Sequence, residues 1–330
     1  MNTQFGCSRR VFISFLFGIL SPLLTHGAQA QSYPGRPVRV IMPYPPGAVG
    51  DIMMRTVGQR LMEILGHPFI IDNRAGGGGM AATEFAAKST PDGHTLLFNG
   101  PNHVTNLGLY PNVPYDPVAD FAPITHVASS QTVLVAHATT GFKTVQQLVD
   151  AAKAKPMALN YASSGAGTGT HLSMEMLMRA TGTRLTHVSF RGGSPAAVAL
   201  VAGQVQAGFT SVPLVLSFIK DGRLVPLAVG GSKRLSALPD VQSLADLGML
   251  NYDVEVWFGL LAPKRTPAPV VSLLAREIRR ILNEPGIPEK FEVLGFTVVG
   301  STPAEFDALL KKELQRWPKL IRELGIQGGS

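Results

Sequence analysis

Val38-Arg39-Val40-Ile41-Met42 is a β-rich apolar run, and it passes through the Pro/Gly loop Pro43-Tyr44-Pro45-Pro46-Gly47-Ala48-Val49-Gly50 into a segment starting at Asp51, whose apolar residues Met53, Val57, Leu61 and Leu65 recur at helical spacing. That order reads as strand, loop, helix. The unit repeats downstream. A strand over 69–71 leads through Gly76 to Gly79 into a helix over 80–87, and the turn Pro91-Asp92-Gly93 precedes a strand over 95–98. Alternating strands and helices predict α/β architecture, with mostly parallel sheets covered by helices on both faces.

A second set follows the long β-like stretch 124–136: a helix over 145–154 started by Thr144, a strand over 159–162, a loop over 163–170 and a helix over 171–180. A strand over 186–190 then runs into Arg191-Gly192-Gly193-Ser194-Pro195 and a short helix, and strands over 225–229 and 258–261 precede helices over 270–282 and 304–324. Extended crossings near 125–135 and 225–235 divide this material into a first lobe, 31–130 with 234–330, and a second lobe, 131–233.

The N-terminus reads as an export leader over 1–30. Arg9 and Arg10 precede an apolar run, and Ala28-Gln29-Ala30 supplies a small-residue cleavage pattern. The run is interrupted by Pro22 and falls short of the roughly 20 apolar residues of a membrane span. Ser8-Arg9-Arg10-Val11-Phe12 also fits a twin-arginine signal, so the general and the twin-arginine export routes both stay open. Cys7 is the single cysteine of the chain and lies inside the leader, which leaves no disulfide, thiolate nucleophile or cysteine metal site in the exported part. The formal net charge of +7 over the whole chain favours anionic partners weakly. Its basic residues are scattered, and the densest stretch, 311–322, is interleaved with acids at helical spacing, a solvated helix face rather than a nucleic-acid patch.

Three loops share one design, in which a strand ends, glycines free the backbone and a helix begins. Helix N-termini carry unpaired N–H groups and the positive end of the macrodipole, a seat for carboxylate or phosphate. In the first loop Asp51 is expected to cap the helix. The second, Ser163-Ser164-Gly165-Ala166-Gly167-Thr168-Gly169-Thr170, adds hydroxyls, and the third is Arg191 to Pro195. No G-x-S-x-G elbow surrounds Ser163 or Ser164, and His171 is read as a cap or packing residue rather than a base. Gly76-x-Gly78-x-x-Ala81 fits a dinucleotide fingerprint only formally, and no Walker-type phosphate loop is present. The histidines show no ligand pairing, so neither a metal nor a cofactor is expected.

These residues together resemble a known family. Tyr33-Pro34-Gly35-Arg36-Pro37-Val38, the loop from Pro43 to Asp51, Asn73-Arg74 with the glycines, Pro91-Asp92-Gly93-His94-Thr95-Leu96-Leu97, Tyr115-Asp116-Pro117 with Asp120-Phe121, Ser163 to Leu172, Phe190 to Ala196 and Trp257-Phe258-Gly259-Leu260 stand in the order found in substrate-binding proteins of tripartite tricarboxylate transporters, the Bug-type receptors. The resemblance implies a type II-like periplasmic-binding-protein fold. Its two lobes would close by a hinge on a small organic acid, which a monomer then delivers to two integral membrane subunits. Carried over residue by residue, it implies ligand contacts from Gly47, Ala48 and Asp51, from Ser163, Ser164, Gly167 and Thr168, from Gly192 and Gly193, and from Asn99 at the end of a cleft-facing strand. Ala48 and Ser194 stand where the family usually has glycine, and Gln206 where it has aspartate, which bears on ligand choice. A ligand-sensing subunit for a membrane kinase would use the same cleft. A hydrolase built on Ser163 or Ser164 is the remaining alternative.

Overall fold

Every residue of the opening strand except Arg39 is buried, and the alternation sends Val40 and Met42 to one face of a sheet and Ile41 to the other. A strand buried on both faces belongs inside a helix-covered sheet. The computed structural model describes residues 1–3, 33–231, 234–249, 256–293 and 295–328, so the leader expected over 1–30 falls almost wholly outside the described residues. The elements are β1 (Val38–Met42), α1 (Val49–Leu65), β2 (Phe69–Asn73), α2 (Met80–Ala87), β3 (Thr95–Asn99), α3 (Asn102–Leu109), β4 (Phe121–Ser130), β5 (Thr132–His137), α4 (Val145–Ala154), β6 (Asn160–Ser163) and α5 (Gly169–Thr181). They continue with β7 (Thr186–Ser189), α6 (Gly193–Val201), β8 (Ala207–Ser211), α7 (Val212–Lys220), β9 (Leu224–Gly230), β10 (Val256–Pro263), α8 (Ala268–Leu282), α9 (Ile287–Val293), β11 (Phe296–Val298) and α10 (Pro303–Glu323).

Two sheets result, ordered β11-β4-β10-β3-β1-β2 and β7-β6-β8-β5-β9. Each keeps a parallel core, β2-β1-β3 in the first and β7-β6-β8 in the second, and each is mixed because the strands next to that core, β10 and β5, run antiparallel to their neighbours. The long β-like stretch is two strands: β4 belongs to the first sheet, β5 to the second, and only Gln131 lies between them. Helices cover all four faces. Met53, Met54, Val57 and Leu61 of α1 and Leu274, Ile278 and Ile281 of α8 pack on one face of the first sheet, while α2, α3 and the start of α10 pack on the other. In the second sheet α4 and α5 cover one face, α6 and α7 the other. Helix α1 stops at Gly66, whose left-handed φ of 78° lets its N–H reach Met62 O. No helix among the described residues is long and apolar enough to cross a membrane.

Helix α10 serves both sheets. Its start is fixed by a capping box between Thr302 and Glu305, Phe306 and Leu310 join the core of the first sheet, and Trp317 and Ile321 join the cluster on the second. The basic stretch 311–322 is therefore not a uniformly solvated face: Glu313 is buried, and its Oε2 accepts from the indole N–H groups of Trp317 (2.6 Å) and Trp257 (3.3 Å). Burial pushes the Glu313 carboxyl upward, against the pull of the two indoles. A buried carboxylate that loses a donor bears the desolvation cost with less return. Trp317→Phe, which keeps an aromatic ring but removes the pyrrole half of the indole with its N–H, should lower the unfolding free energy by at least about 1–3 kcal/mol. Chemical denaturation measures it, and an unchanged midpoint would show that the indole–carboxylate bond contributes nothing.

Candidate functional site

Strand directions alone bring the loops together. Strands β1, β3 and β4 run the same way, because β10 is antiparallel to both β3 and β4. Their C-terminal ends therefore share the edge at which the chain leaves through Gln131. In the second sheet β6, β7 and β8 run opposite to β5, so their C-terminal ends share the edge at which the chain enters. The loops after β1, β6 and β7 face one another across the crossing, the position at which open α/β sheets bind ligands.

In the first loop Gly47 has a φ of +78°, a conformation that requires glycine, whereas Ala48, at φ −61° and ψ 151°, bears its Cβ without strain. The helix N-cap is Ala48, which corrects the expectation that Asp51 caps α1. Asp51 lies behind the loop and is buried. Its Oδ2 accepts from Gly47 N (3.0 Å) and Arg55 Nε (2.9 Å), its Oδ1 accepts from Asn73 Nδ2 (2.9 Å), and the same Nδ2 also donates to Tyr44 O (3.0 Å). Burial raises the Asp51 carboxyl, and the hydrogen bonds from Arg55, Gly47 and Asn73 outweigh it, so the group is held below the usual carboxylate range. Asn99 is likewise turned inward: Oδ1 accepts from Gly100 N (2.8 Å) and Nδ2 donates to Thr83 Oγ1 (3.1 Å).

The second loop is held from beneath by a stack of rings. His171 and His187 lie 4.0 Å apart by centroid, and Tyr161 lies 4.9 Å from His187. Gly167 N donates to His171 Nδ1 (3.0 Å), and the buried Ser163 Oγ sits 2.6 Å from His187 Nε2. His171 thus supports the loop, as expected. The Ser163–His187 pair was not visible in the sequence because its members belong to neighbouring strands. Burial, with His171 beside it and against the pull of Glu175, pushes His187 down to about 4. Ser163 has no exposed surface and presents no nucleophile to a substrate in this conformation. Above it, Ser164, Thr168 and Thr170 form a triangle of hydroxyls with edges of 2.9 to 3.0 Å; Thr168 donates to Gly165 O (2.7 Å) and Thr170 Oγ1 accepts from Ser164 N (2.9 Å). Thr170, absent from the expected set, is a full member of this triangle.

The third loop is tied to the second by Gly192 N donating to Ser164 O (3.1 Å), and it approaches the first, since a Cβ on Gly192 would lie 3.5 Å from Pro45 Cγ. Across the crossing, Thr105 of α3 donates to Gly167 O (3.0 Å). The structure therefore gathers the expected loops, yet the N–H groups of Gly47, Ala48, Gly167 and Gly192 are spent on Asp51, Pro45 O, His171 and Ser164 O. Helix geometry leaves without intrahelical partners the N–H groups just beyond them, those of Val49 and Gly50, of Gly169 and Thr170, and of Gly193 and Ser194. Of the departures from the family pattern, Gln206 lies far from this site: its Oε1 accepts from Asn160 N (2.8 Å) at the opposite end of β6. No cluster of His, Cys, Asp and Glu suited to a metal ion occurs among the described residues.

Comparison with known proteins gives the family. BugT of Bordetella pertussis is 34% identical over 312 residues, covering 94% of each chain. An adipate-bound protein of R. palustris superimposes with a TM-score of 0.84 at 30% identity, covering 89% of this chain and 99% of the other. MatC of Rhodopseudomonas palustris, solved with bound malate, gives a TM-score of 0.80 at 28% identity, covering 88% of this chain and all of the other. The periplasmic binding protein BugD gives a TM-score of 0.82 at 28% identity, covering 89% and 99%. The model of the tripartite tricarboxylate transporter family receptor matches residues 53–326, and with these relatives it establishes that the chain belongs to that receptor family.

Proposed function

We propose that this receptor is exported to the periplasm by its leader, captures a small carboxylate between two lobes, 31–130 with 234–330 and 131–233, and delivers it to two integral membrane transporter subunits. The observation that carries the reading is the convergence of three helix starts, α1, α5 and α6, with a triangle of hydroxyls on facing sheet edges. A carboxylate needs several N–H and O–H donors on a limited arc, and three macrodipoles of the same sign favour the anion over a neutral molecule. Ser164 and Thr170 supply hydroxyls from the triangle that Thr168, donating to Gly165 O, holds in place, and the helix starts at Val49, Gly169 and Gly193 supply N–H groups. Asp51, Asn99, Ser163, Gly47, Ala48, Gly167 and Gly192 form the frame that holds those donors in place. Two structural relatives hold dicarboxylates, adipate and malate, and in this reading Arg191, exposed beside Gly192, is the candidate partner for a second carboxylate.

A screen of mono-, di- and tricarboxylates by thermal shift tests the ligand class. An acid present at 100 times its dissociation constant should add about 2.7 kcal/mol of stability. A panel in which no carboxylate moves the melting point would sink it. The frame is tested at Asp51. Replacing it with Ala removes the acceptor of Gly47 N and the partner of Arg55, and should weaken binding of the best acid by about 1.5–3 kcal/mol, the range for a hydrogen bond to a charged group. Calorimetric titration of both proteins checks this, and equal dissociation constants would show that the loop holds its shape unaided.

A further inference from the structure

Gly169 opens α5 on the second sheet's side, and Val256 opens β10 in the first sheet, where its side chain packs against that sheet's core. A Cβ on Gly169 would lie 2.3 Å from Val256 Cγ2 and 3.4 Å from its Cβ, the first well inside the roughly 3.5–4.0 Å at which carbon atoms rest. The backbone at 169 does not ask for glycine: it is helical, with φ outside the left-handed region, and alanine is the better helix former there. What excludes a side chain is the opposite lobe. A second contact of the same kind lies two residues earlier, where a Cβ on Gly167 would stand 2.0 Å from Leu109 Cδ1 of α3. Gly167 also needs its φ of +70°, so only Gly169 isolates the steric effect.

We infer that Gly169 and Val256 are a positioning pair whose close approach sets ligand affinity through lobe closure, separately from the backbone N–H that residue 169 offers the ligand. The inference rests on the reading of this chain as a receptor whose lobes close. A methyl group at 169 collides in the arrangement of this structure and is relieved when the lobes move apart, so it lowers the fraction of molecules with the lobes this close, and apparent affinity falls with that fraction. Alanine retains the N–H of residue 169, so no ligand hydrogen bond is removed by the change.

The test uses the purified protein, Gly169→Ala, and Gly169→Ala with Val256→Ala, with adipate and malate as probes. Calorimetry gives the dissociation constant and small-angle X-ray scattering the radius of gyration. Gly169→Ala should bind at least tenfold more weakly and fail to contract at acid concentrations that contract the unsubstituted protein, and the added Val256→Ala should restore both. Unchanged affinity and contraction in Gly169→Ala, or a loss that Val256→Ala leaves in place, overturns the inference while leaving the receptor reading intact. If neither acid binds the unsubstituted protein, the reading as a receptor for these acids fails by itself. The pair is then judged without ligand: a larger radius in Gly169→Ala that Val256→Ala reverses supports it, and an unchanged radius overturns it.

Discussion

The passage of the chain from one sheet to the other through the single residue Gln131 constrains everything built around it. With β4 ending at Ser130 and β5 starting at Thr132, the two sheets are joined through the ends of interior strands, and the directions of β1, β3, β6, β7 and β8 are then fixed by their pairing. Each of these strands ends at the crossing, so each following helix begins there. The convergence of positive helix ends is thus a consequence of topology and needs no residue to enforce it. Individual side chains decide what the converging backbone can do.

That division explains which features were legible beforehand. Strands buried on both faces and helices with one apolar stripe announce themselves, and β1, α1, α4, α8 and α10 were readable to within a few residues for this reason. Helix α3 was not. Its sequence is rich in polar residues, and Asn102, His103, Thr105 and Asn106 are all buried, so no apolar stripe marks it. Three of those side chains bond to groups outside the helix: His103 Nε2 to Pro117 O, Thr105 Oγ1 to Gly167 O, and Asn106 Nδ2 to Gly78 O and the Tyr115 hydroxyl. A polar residue whose partner lies far along the chain gives no local signal. The break between β4 and β5 was hidden because burial on both faces continues up to and beyond Gln131 while the partner sheet changes.

In the candidate site the loops were legible as a class, while the roles of their members were not. A sequence shows Asp51 near a helix start and suggests a cap, but Ala48 holds that position without a side chain to mark it, and the carboxylate reaches back past it to Gly47. Glycines in a loop suggest open N–H donors. Here Gly47, Gly167 and Gly192 use theirs to hold the loops, and the N–H groups without intrahelical partners are those one or two residues further on. Thr170 was missed because it reads as an ordinary first-turn helix residue, although its hydroxyl closes the triangle with Ser164 and Thr168.

The departures from the family pattern can now be separated by where they stand. Gln206 bonds to Asn160 at the far edge of the second sheet, so a change there acts on strand pairing and leaves the anion seat untouched. Ala48 occupies an extended conformation open to any residue, so its methyl group changes the shape of the first loop's inner surface without straining the backbone. Ser194 is an exposed residue in the first turn of α6, one position beyond Gly193. It adds a hydroxyl donor to a helix start that otherwise offers only backbone N–H groups. Two of the three changes therefore lie in the loops of the candidate site, one differing from glycine by a methyl group and one by a hydroxymethyl group, and the third lies apart from them.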